Sequence, residues 1–216
     1  MPKPVSIILV TVAAGLAALG LYEGIALFIA RQRTPAIVAS LAAKPIHLAD
    51  IAPHRLAMLE AVEDPGFRQH HGIDGNTPGS GKTTITQSLV KRLYFKRFQP
   101  GFAKIEQSLI ARFVLDPALS KDEQLRAFLN VSELGTHHGR TVIGFADAAQ
   151  SWFGKPLGNL SDDEWLALVA MGPAPNRLDP QRHPRENAQR VARIKRLLAG
   201  KCAPLNGNDV MYEGCA

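Results

Sequence analysis

The first 33 residues contain the longest apolar stretch of the chain. Val5 to Tyr22 is a run of 18 residues without a charge, and after Glu23 the apolar pattern continues to Ala30. A helix needs about 20 apolar residues to cross a bilayer, so the pattern predicts a membrane anchor over residues 1–33. A cleaved signal peptide is the alternative, although charged residues, beginning with Arg31, follow the run instead of an obvious small-residue cleavage site.

Beyond the anchor, apolar residues recur mostly at helical spacing. Leu56, Leu59 and Val62 fall on one stripe of a helix, and S-x-x-E capping boxes begin at Ser120 and Ser161. No segment alternates convincingly between apolar and polar positions, so we predict a mainly α domain over residues 34–200. The predicted helices cover 53–64, 84–95, 103–115, 121–134, 143–152, the "WLALVAM" segment and 185–199, after a connector over 31–50.

The charge indicates which partners suit the domain, and the cysteine content indicates in which compartment it lies. The 216 residues carry a net charge of +6, which favours an anionic partner such as phospholipid, a diphosphate or nucleic acid; simple solubility is the alternative. The two cysteines, Cys202 and Cys215, lie close together in a tail over residues 201–216. Such a pair suits a disulfide in an oxidising compartment, outside the cytoplasm, while two idle thiols remain the alternative.

The string "GNTPGSGKTTITQ" looks at first like a nucleotide-binding loop. That motif needs a glycine five positions before Gly81 and a buried strand ahead of the loop. Asn76 occupies the glycine position, Gly75 misses it by one place, and the preceding "FRQHHGID" is not a hydrophobic strand. We therefore predict that the protein binds no nucleotide.

Five ordered motifs instead resemble those of the family 51 glycosyltransferases, the peptidoglycan transglycosylases. "EDPGFRQHHG" from Glu63 matches E-D-x-x-F-x-x-H-x-G, and "GKTTITQSLVK" from Gly81 resembles G-x-S-T-I-T-Q-Q-x-x-K. "SKDEQLRAFLNVSELG", "GFADAAQSWFGK" and "LSDDEWLALVAMGPAPNRLDP" are similar to the three later motifs. The similarity runs from about Leu48 to Leu198. It implies a lysozyme-like transglycosylase domain, as in monofunctional enzymes and in bifunctional penicillin-binding proteins.

The resemblance also implies a reaction. In this family a sugar 4-hydroxyl attacks the anomeric carbon of a lipid-diphosphate donor, which needs a carboxylate base and positive charge near the leaving group. Glu63, at the end of an apolar helix, fits the base, whereas its position alone would suggest a surface Glu-Asp pair. Asp64, Phe67 and His70 are grouped with the substrate site because we expect them to shape the turn that supports the base.

The second motif supplies candidate contacts to the diphosphate. Its hydroxyl and amide side chains stand at the start of a helix, where backbone N–H groups favour phosphate oxygens; N-capping is their alternative role. The members of this cluster are Thr83, Thr84, Thr86 and Gln87. Lys91 matches the motif lysine and is a diphosphate candidate, against the alternative of a solvated helix lysine. Lys82 stands at a variable place and receives no role beyond local charge.

A second carboxylate is harder to place. The family carries K-x-x-E, with the glutamate 12 residues before S-K, but counting back from Ser120 gives Ser108. Two extra residues at "LDPAL" would select Glu106, with Lys104 as the motif lysine. The resemblance then implies that Glu106 binds the diphosphate, directly or through Mg²⁺ or Mn²⁺. The alternative is a helix glutamate that only forms a salt bridge. Beyond such a cation we expect no cofactor. Asn130 matches the motif asparagine and is expected to fix the cleft wall.

One departure from the family pattern leaves open which of three activities the protein has. Only eight residues lie between Gly72 and Gly81, where the family has a longer segment beside the donor site. We predict a polymerase of lipid-linked disaccharide diphosphate; the alternatives are a non-catalytic glycan- or precursor-binding module and a lysozyme-like glycan-cleaving enzyme. The expected partners are the lipid-linked precursor, the glycan strand, the membrane and cell-wall synthesis proteins, not nucleic acid. The expected location is the bacterial inner membrane, single-pass, with the domain periplasmic or extracellular.

Overall fold

A computed structural model describes residues 4–75 and 77–216 of the chain. The start of the predicted anchor, residues 1–3, and Asn76, in the place of a nucleotide-loop glycine, lie outside the described residues. The described part is mainly α-helical, as predicted, with one two-stranded antiparallel sheet. The helices are α1 (Pro4–Ala42), α2 (Pro53–Glu63), α3 (Ile85–Leu93), α4 (Phe102–Ile110), α5 (Lys121–Val131), α6 (Phe145–Phe153), α7 (Asp162–Val169) and α8 (Pro184–Leu198), and the strands are β1 (Glu133–His137) and β2 (Arg140–Ile143).

Helix α1 carries the long apolar run and leaves most of it uncovered. Its part from Ile8 to Ala42 is long and apolar enough to cross a membrane, although a signal sequence would meet the same test. Large apolar side chains such as Leu9, Leu21 and Phe28 are more than half exposed. These exposed side chains indicate that α1 contacts an apolar environment other than the domain itself.

The predicted connector over residues 31–50 is wrong in its first part, because α1 continues as a helix to Ala42. The last turns of α1 pack against α4 and the turn that follows α4. Burial of Thr34 and Leu41 stabilises this helical extension, even though Pro35 lies inside it. Tertiary packing, which a local pattern does not reveal, therefore decides the conformation of the segment.

The core of the domain surrounds α7. The side chains of Trp165 and Leu168 in this helix are fully buried, and the Trp165 indole N–H donates to the Arg55 carbonyl oxygen at 3.0 Å. Helix α2 packs between α7 and α8, and α3 packs against α5. These contacts hold the end of α2 and the start of α3 at one side of the core.

The strands β1 and β2 are an element that the sequence prediction missed. The predicted helix over 121–134 ends at Val131, and β1 begins two residues later. A two-residue turn, His138 and Gly139, joins the strands with φ of 48° and 76°. Positive φ at both central residues is typical of the type I′ turn, in which histidine is a weaker sequence signal than asparagine or aspartate.

The C-terminal tail forms a closed loop on the surface of the domain. Cys202 and Cys215 are joined by a disulfide, and Tyr212 between them is fully buried. The carboxylate of Asp209 accepts hydrogen bonds from the backbone N–H groups of Leu205 and Gly214, each at 3.0 Å. The tail is therefore an ordered part of the domain.

The disulfide yields the first prediction. Replacing both cysteines (Cys202→Ser with Cys215→Ser) should lower the free energy of unfolding by about 2–4 kcal/mol, because the bond restricts the unfolded tail. Chemical denaturation of the detergent-solubilised protein measures this difference. An unfolding free energy equal to that of the wild type would contradict a stabilising disulfide.

Candidate active site

The carboxylate of Glu63 lies where two cavities of the domain meet. Glu63 is the last residue of α2, and Ser88 and Gly172 line both cavities together with it. We name the first the Lys91 cavity and the second the tail cavity. Their volumes are about 160 Å³ and about 520 Å³.

The two cavities differ in their walls. The Lys91 cavity has an apolar floor that includes Phe128 and Phe145. Its polar rim consists of Lys91, Arg92, Ser132 and Glu133. The tail cavity is lined mainly by the loop before α3, by α8 and by the C-terminal tail, through residues that include Ser80, Lys82, Thr83, Arg190, Asn208 and Val210. A substrate that extends through both cavities would pass the Glu63 carboxylate.

Burial changes the acidity of Glu63. The side chain is partly exposed, but protein atoms surround it on most sides, and this desolvation raises its pKa from 4.5 to about 7. The positive charge of buried Arg190 opposes the rise, and the neighbouring Asp64 adds to it. A Cβ at Gly172 would lie 2.9 Å from Oε2 of Glu63, so only glycine leaves the carboxylate this space. Glu63 therefore has the proton affinity expected of a base at neutral pH.

Asp64 fixes the chain immediately after Glu63. Its carboxylate is fully buried, lies 2.9 Å from Nε2 of His70 and accepts the N–H of Ile85, the first residue of α3, at 2.9 Å. Phe67 is also buried and makes an edge contact with the His70 ring. Asp64, Phe67 and His70, which the sequence analysis grouped with the substrate site, thus tie α2 to α3 next to Glu63, and they do not line either cavity.

The hydroxyl and amide cluster of the second motif divides into two groups. Thr84 caps α3 in a reciprocal pair with Gln87, and Thr86 donates to Gln124 Oε1 at 2.6 Å. Thr84, Thr86 and Gln87 are buried, so they hold α3 in place rather than face the cavities. Thr83 is partly exposed and lines the tail cavity, as does Ser88 farther along the helix.

Lys82 and Lys104 lie beside the start of α3, and Lys91 lies in its last turn. Lys91 is exposed in the Lys91 cavity, with its Nζ 5.5 Å from the centre of the Phe98 ring. Lys104 donates to the Lys82 carbonyl oxygen at 2.7 Å and to the Thr83 hydroxyl at 3.2 Å. Burial and the charge of Lys91 lower the pKa of Lys104. Lys91 therefore lines the Lys91 cavity, whereas Lys82 and Thr83 line the tail cavity and Lys104 contacts Thr83 without lining either cavity.

The Lys91 cavity and the tail cavity together form a cleft at Glu63, and Glu106 does not reach this cleft. It faces α1, where it lines a separate cavity with Arg33, and its Oε2 lies 3.5 Å from the Tyr22 hydroxyl. A π-helical turn, Ala111–Leu115, follows α4 and changes the spacing by which Glu106 was predicted. Such a turn accommodates one additional residue. One of the two extra residues assumed between the motif glutamate and Ser120 therefore lies in this turn.

With one extra residue instead of two, the motif glutamate position falls on Gln107, three residues after Lys104. Gln107 is buried and donates from Nε2 to the Gln87 carbonyl oxygen at 2.6 Å. An amide that joins α3 and α4 thus occupies this position. The described part of α4 brings no second carboxylate into the cleft.

Asn130 also lies away from the cleft. It is buried, donates from Nδ2 to the Ile46 carbonyl oxygen and accepts the Ile46 N–H, each at 3.1 Å. Asn130 therefore holds the segment after α1 against α5 and does not line either cavity.

The described residues do not fit a divalent cation held by the protein. Residues 4–75 and 77–216 contain no group of three or more histidine, cysteine, aspartate or glutamate side chains arranged to hold a metal. Glu106, the candidate ligand, points away from the cleft. We therefore assign no step of the reaction to a metal bound by these residues.

Sequence reasoning missed several residues that line the cleft. Glu133 and Arg92 form an ion pair of 2.6 Å at the rim of the Lys91 cavity. Arg190 and Asn208 reach the tail cavity from the last third of the chain. The only sequence signal for Glu133 was its place inside the third motif, and the tail lies outside all five motifs.

Comparisons with known proteins agree on one family. The family description Transglycosylase matches residues 33–199. A candidate transglycosylase of Cupriavidus necator is 30% identical over 197 residues, which cover 82% of each chain. Penicillin-binding protein 1F of Bacillus subtilis is 31% identical over 68% of this chain and 22% of its own length. Penicillin-binding protein 1B of Escherichia coli is 30% identical over 65% of this chain and 18% of its own length.

The chain therefore belongs to the transglycosylase family. This confirms the resemblance carried by the five motifs, the lysozyme-like, mainly α fold class and the assignment as a glycosyltransferase of peptidoglycan biosynthesis. The family acts on lipid-linked peptidoglycan precursor and glycan strands. The matched regions span about a fifth of the two penicillin-binding proteins and most of the Cupriavidus protein.

The raised pKa of Glu63 predicts a pH-dependent effect on stability. The unfolded chain loses this proton near pH 4.5 and the folded chain near pH 7, so the folded state becomes less stable as pH rises through this window. Glu63→Gln, which does not ionise, should raise the free energy of unfolding by about 1–3 kcal/mol at pH 8. The difference should vanish at pH 4, where both states of the wild type are protonated.

Chemical denaturation at the two pH values measures this difference. A gain of the same size at both values would indicate altered packing rather than relief of a buried charge.

Proposed function

We propose that the protein polymerises a lipid-linked disaccharide diphosphate into peptidoglycan glycan strands, with Glu63 as the general base. The observation that supports this proposal is the position of the Glu63 carboxylate, partly desolvated at the junction of two cavities with cationic side chains along their walls. Glu63 is also the first residue of the first family motif, which this sequence matches at every fixed position.

In the proposed reaction Glu63 removes the proton from the 4-hydroxyl of the acceptor sugar. The hydroxyl oxygen forms a bond to the anomeric carbon of the donor, while the bond from that carbon to the diphosphate oxygen breaks on the opposite face. The anomeric centre is inverted, and the lipid diphosphate leaves with the bonding electrons. A carboxylate with a pKa of about 7 is largely deprotonated at slightly alkaline pH and still basic enough to accept the proton.

The cations at the cleft suit the leaving diphosphate. Lys91 and Arg92 line the Lys91 cavity, and Lys104 donates to the hydroxyl of Thr83, which lines the tail cavity. Positive charge placed beside a departing diphosphate stabilises the negative charge that develops as the bond breaks. We therefore propose that Lys91 and Thr83 contact the substrate and that Arg92, rather than Glu106, contacts the diphosphate.

An anchored domain would have direct access to a lipid-linked donor. Next to α1, the apolar side chain of Phe113 is half exposed and lines a cavity together with Arg31 of α1. Apolar surface beside cations favours an anionic lipid surface. We propose a single-pass protein of the bacterial inner membrane with its domain on the periplasmic or outer side, where the Cys202–Cys215 disulfide is stable.

A non-catalytic binding module is the second candidate. Two observations favour it: the short loop between Gly72 and Gly81, and the amide of Gln107 at the position of the family's second glutamate. Such a module would bind the precursor without turnover, and it would serve other cell-wall synthesis proteins.

Polymerisation assays with paired variants test the proposed base. Glu63→Gln should lower glycan polymer formation from lipid-linked disaccharide at least 100-fold, because general-base catalysis contributes about 10²–10⁴ in rate. Glu106→Gln is the matched control and should retain most of the activity, since Glu106 faces α1. Gel separation of the labelled polymer gives the rates.

The results also separate the alternatives. Wild-type rates from Glu63→Gln would overturn the base assignment. Precursor binding without polymer from the wild type would favour the binding module. Release of fragments from finished peptidoglycan without a lipid donor would indicate a glycan-cleaving enzyme.

A further inference from the structure

Two segments that are far apart in the sequence meet beside Glu63. The loop that precedes α3 packs against the C-terminal tail through two backbone hydrogen bonds. The N–H of Gly79 donates to the Asn206 carbonyl oxygen at 3.2 Å, and the N–H of Gly81 donates to that of Gly207 at 2.7 Å. Loop and tail together form one wall of the tail cavity.

The glycines of the apparent nucleotide-binding string are explained by this contact. Gly79 and Gly81 have φ of 79° and 68°, values that favour glycine. A Cβ at position 79 would lie 2.8 Å from Cγ of Pro204, and one at position 81 would lie 2.8 Å from Cγ1 of Val210. The Gly-Ser-Gly sequence therefore allows the loop to approach the tail closely.

Further contacts hold the tail in a fixed position next to the base. Buried Arg190 donates from Nη2 to the Val210 carbonyl oxygen at 2.8 Å. The buried Tyr212 hydroxyl donates to the carbonyl oxygen of Val62, the residue before Glu63, at 2.5 Å. Together with the disulfide, these bonds link the position of the tail to that of the Glu63 backbone.

The tail also presents a polar group to the cavity. The side chain of Asn208 is exposed, and the described residues provide no hydrogen-bond partner for its side-chain amide, whereas its backbone N–H donates to Asn206 Oδ1. Hydroxyl groups of Thr83 and Ser88 line the same cavity. An amide can donate and accept hydrogen bonds at the same time, which suits the hydroxyl and acetamido groups of a sugar ring.

We propose that the disulfide-closed tail is a sugar-binding wall of the active cleft, with the Asn208 amide contacting a sugar ring that lies beside Glu63. This inference rests on the proposed function for the identity of the ligand. The ring belongs either to the lipid-linked disaccharide or to the growing glycan strand, and both present the same hydroxyl and acetamido chemistry. The tail thereby encloses the cleft where the loop between the first two motifs is short.

Equilibrium binding by the full chain in detergent micelles tests the proposal. The two probes are a soluble peptidoglycan oligosaccharide and the lipid-linked disaccharide diphosphate. Asn208→Ala should weaken binding of at least one probe about five- to tenfold, because it removes one hydrogen bond from the complex in which the sugar lies against the tail. Asn159→Ala, an exposed asparagine outside both cavities, is the matched control and should bind as the wild type does.

Each outcome decides a separate question. Weaker binding of the oligosaccharide alone places the strand against the tail, and weaker binding of the lipid-linked probe alone places the donor there. Unchanged binding of both probes by Asn208→Ala would overturn the proposal, even if the wild type polymerises and the proposed function stands. A wild type that binds neither probe would overturn both the proposal and the proposed function.

A second variant tests the role of the disulfide. Cys202→Ser with Cys215→Ser, checked for retained helix content by circular dichroism, should weaken binding of the probe that Asn208→Ala affects. Wild-type affinity in this variant would show that the wall does not depend on closure of the tail.

Discussion

The buried carboxylate of Asp64 is the constraint on which the site depends. It joins the end of α2 to the first residue of α3 through the Ile85 N–H, and it holds His70 in the turn between them. A charged group without solvent is stable only when it is hydrogen-bonded in this way. Because Glu63 directly precedes Asp64, the same interaction orients the Glu63 carboxylate between the two cavities.

The burial of Glu63 lowers the stability of the folded state at alkaline pH, and it also makes the carboxylate more basic. Desolvation raises its pKa towards neutrality and makes the folded state less stable when the carboxylate is charged. Arg190 lessens this cost, and it also holds the tail through the Val210 carbonyl oxygen. The charge of Glu63 and the position of the tail are therefore coupled through one buried guanidinium group.

The motifs and helical periodicity predicted the fold class, most of the helices and the location of Glu63, because these features depend on local sequence. The hairpin was missed because His138-Gly139 is a weak turn signal. Glu106 was selected by counting residues, and the count does not reveal the π-helical turn after α4. The tail wall depends on contacts between residues about 130 positions apart, such as Gly81 with Gly207, for which the sequence carries no periodic signal.

A direct measurement of the acidity of Glu63 is the sharpest test of this account. The carboxyl carbon of Glu63 can be titrated by NMR in protein labelled at glutamate, and its signal can be assigned by its loss in Glu63→Gln. Burial at the junction of the cavities predicts an apparent pKa of about 7. A value near 4.5, as for a solvated glutamate, would contradict the claim that the fold prepares this residue as a base.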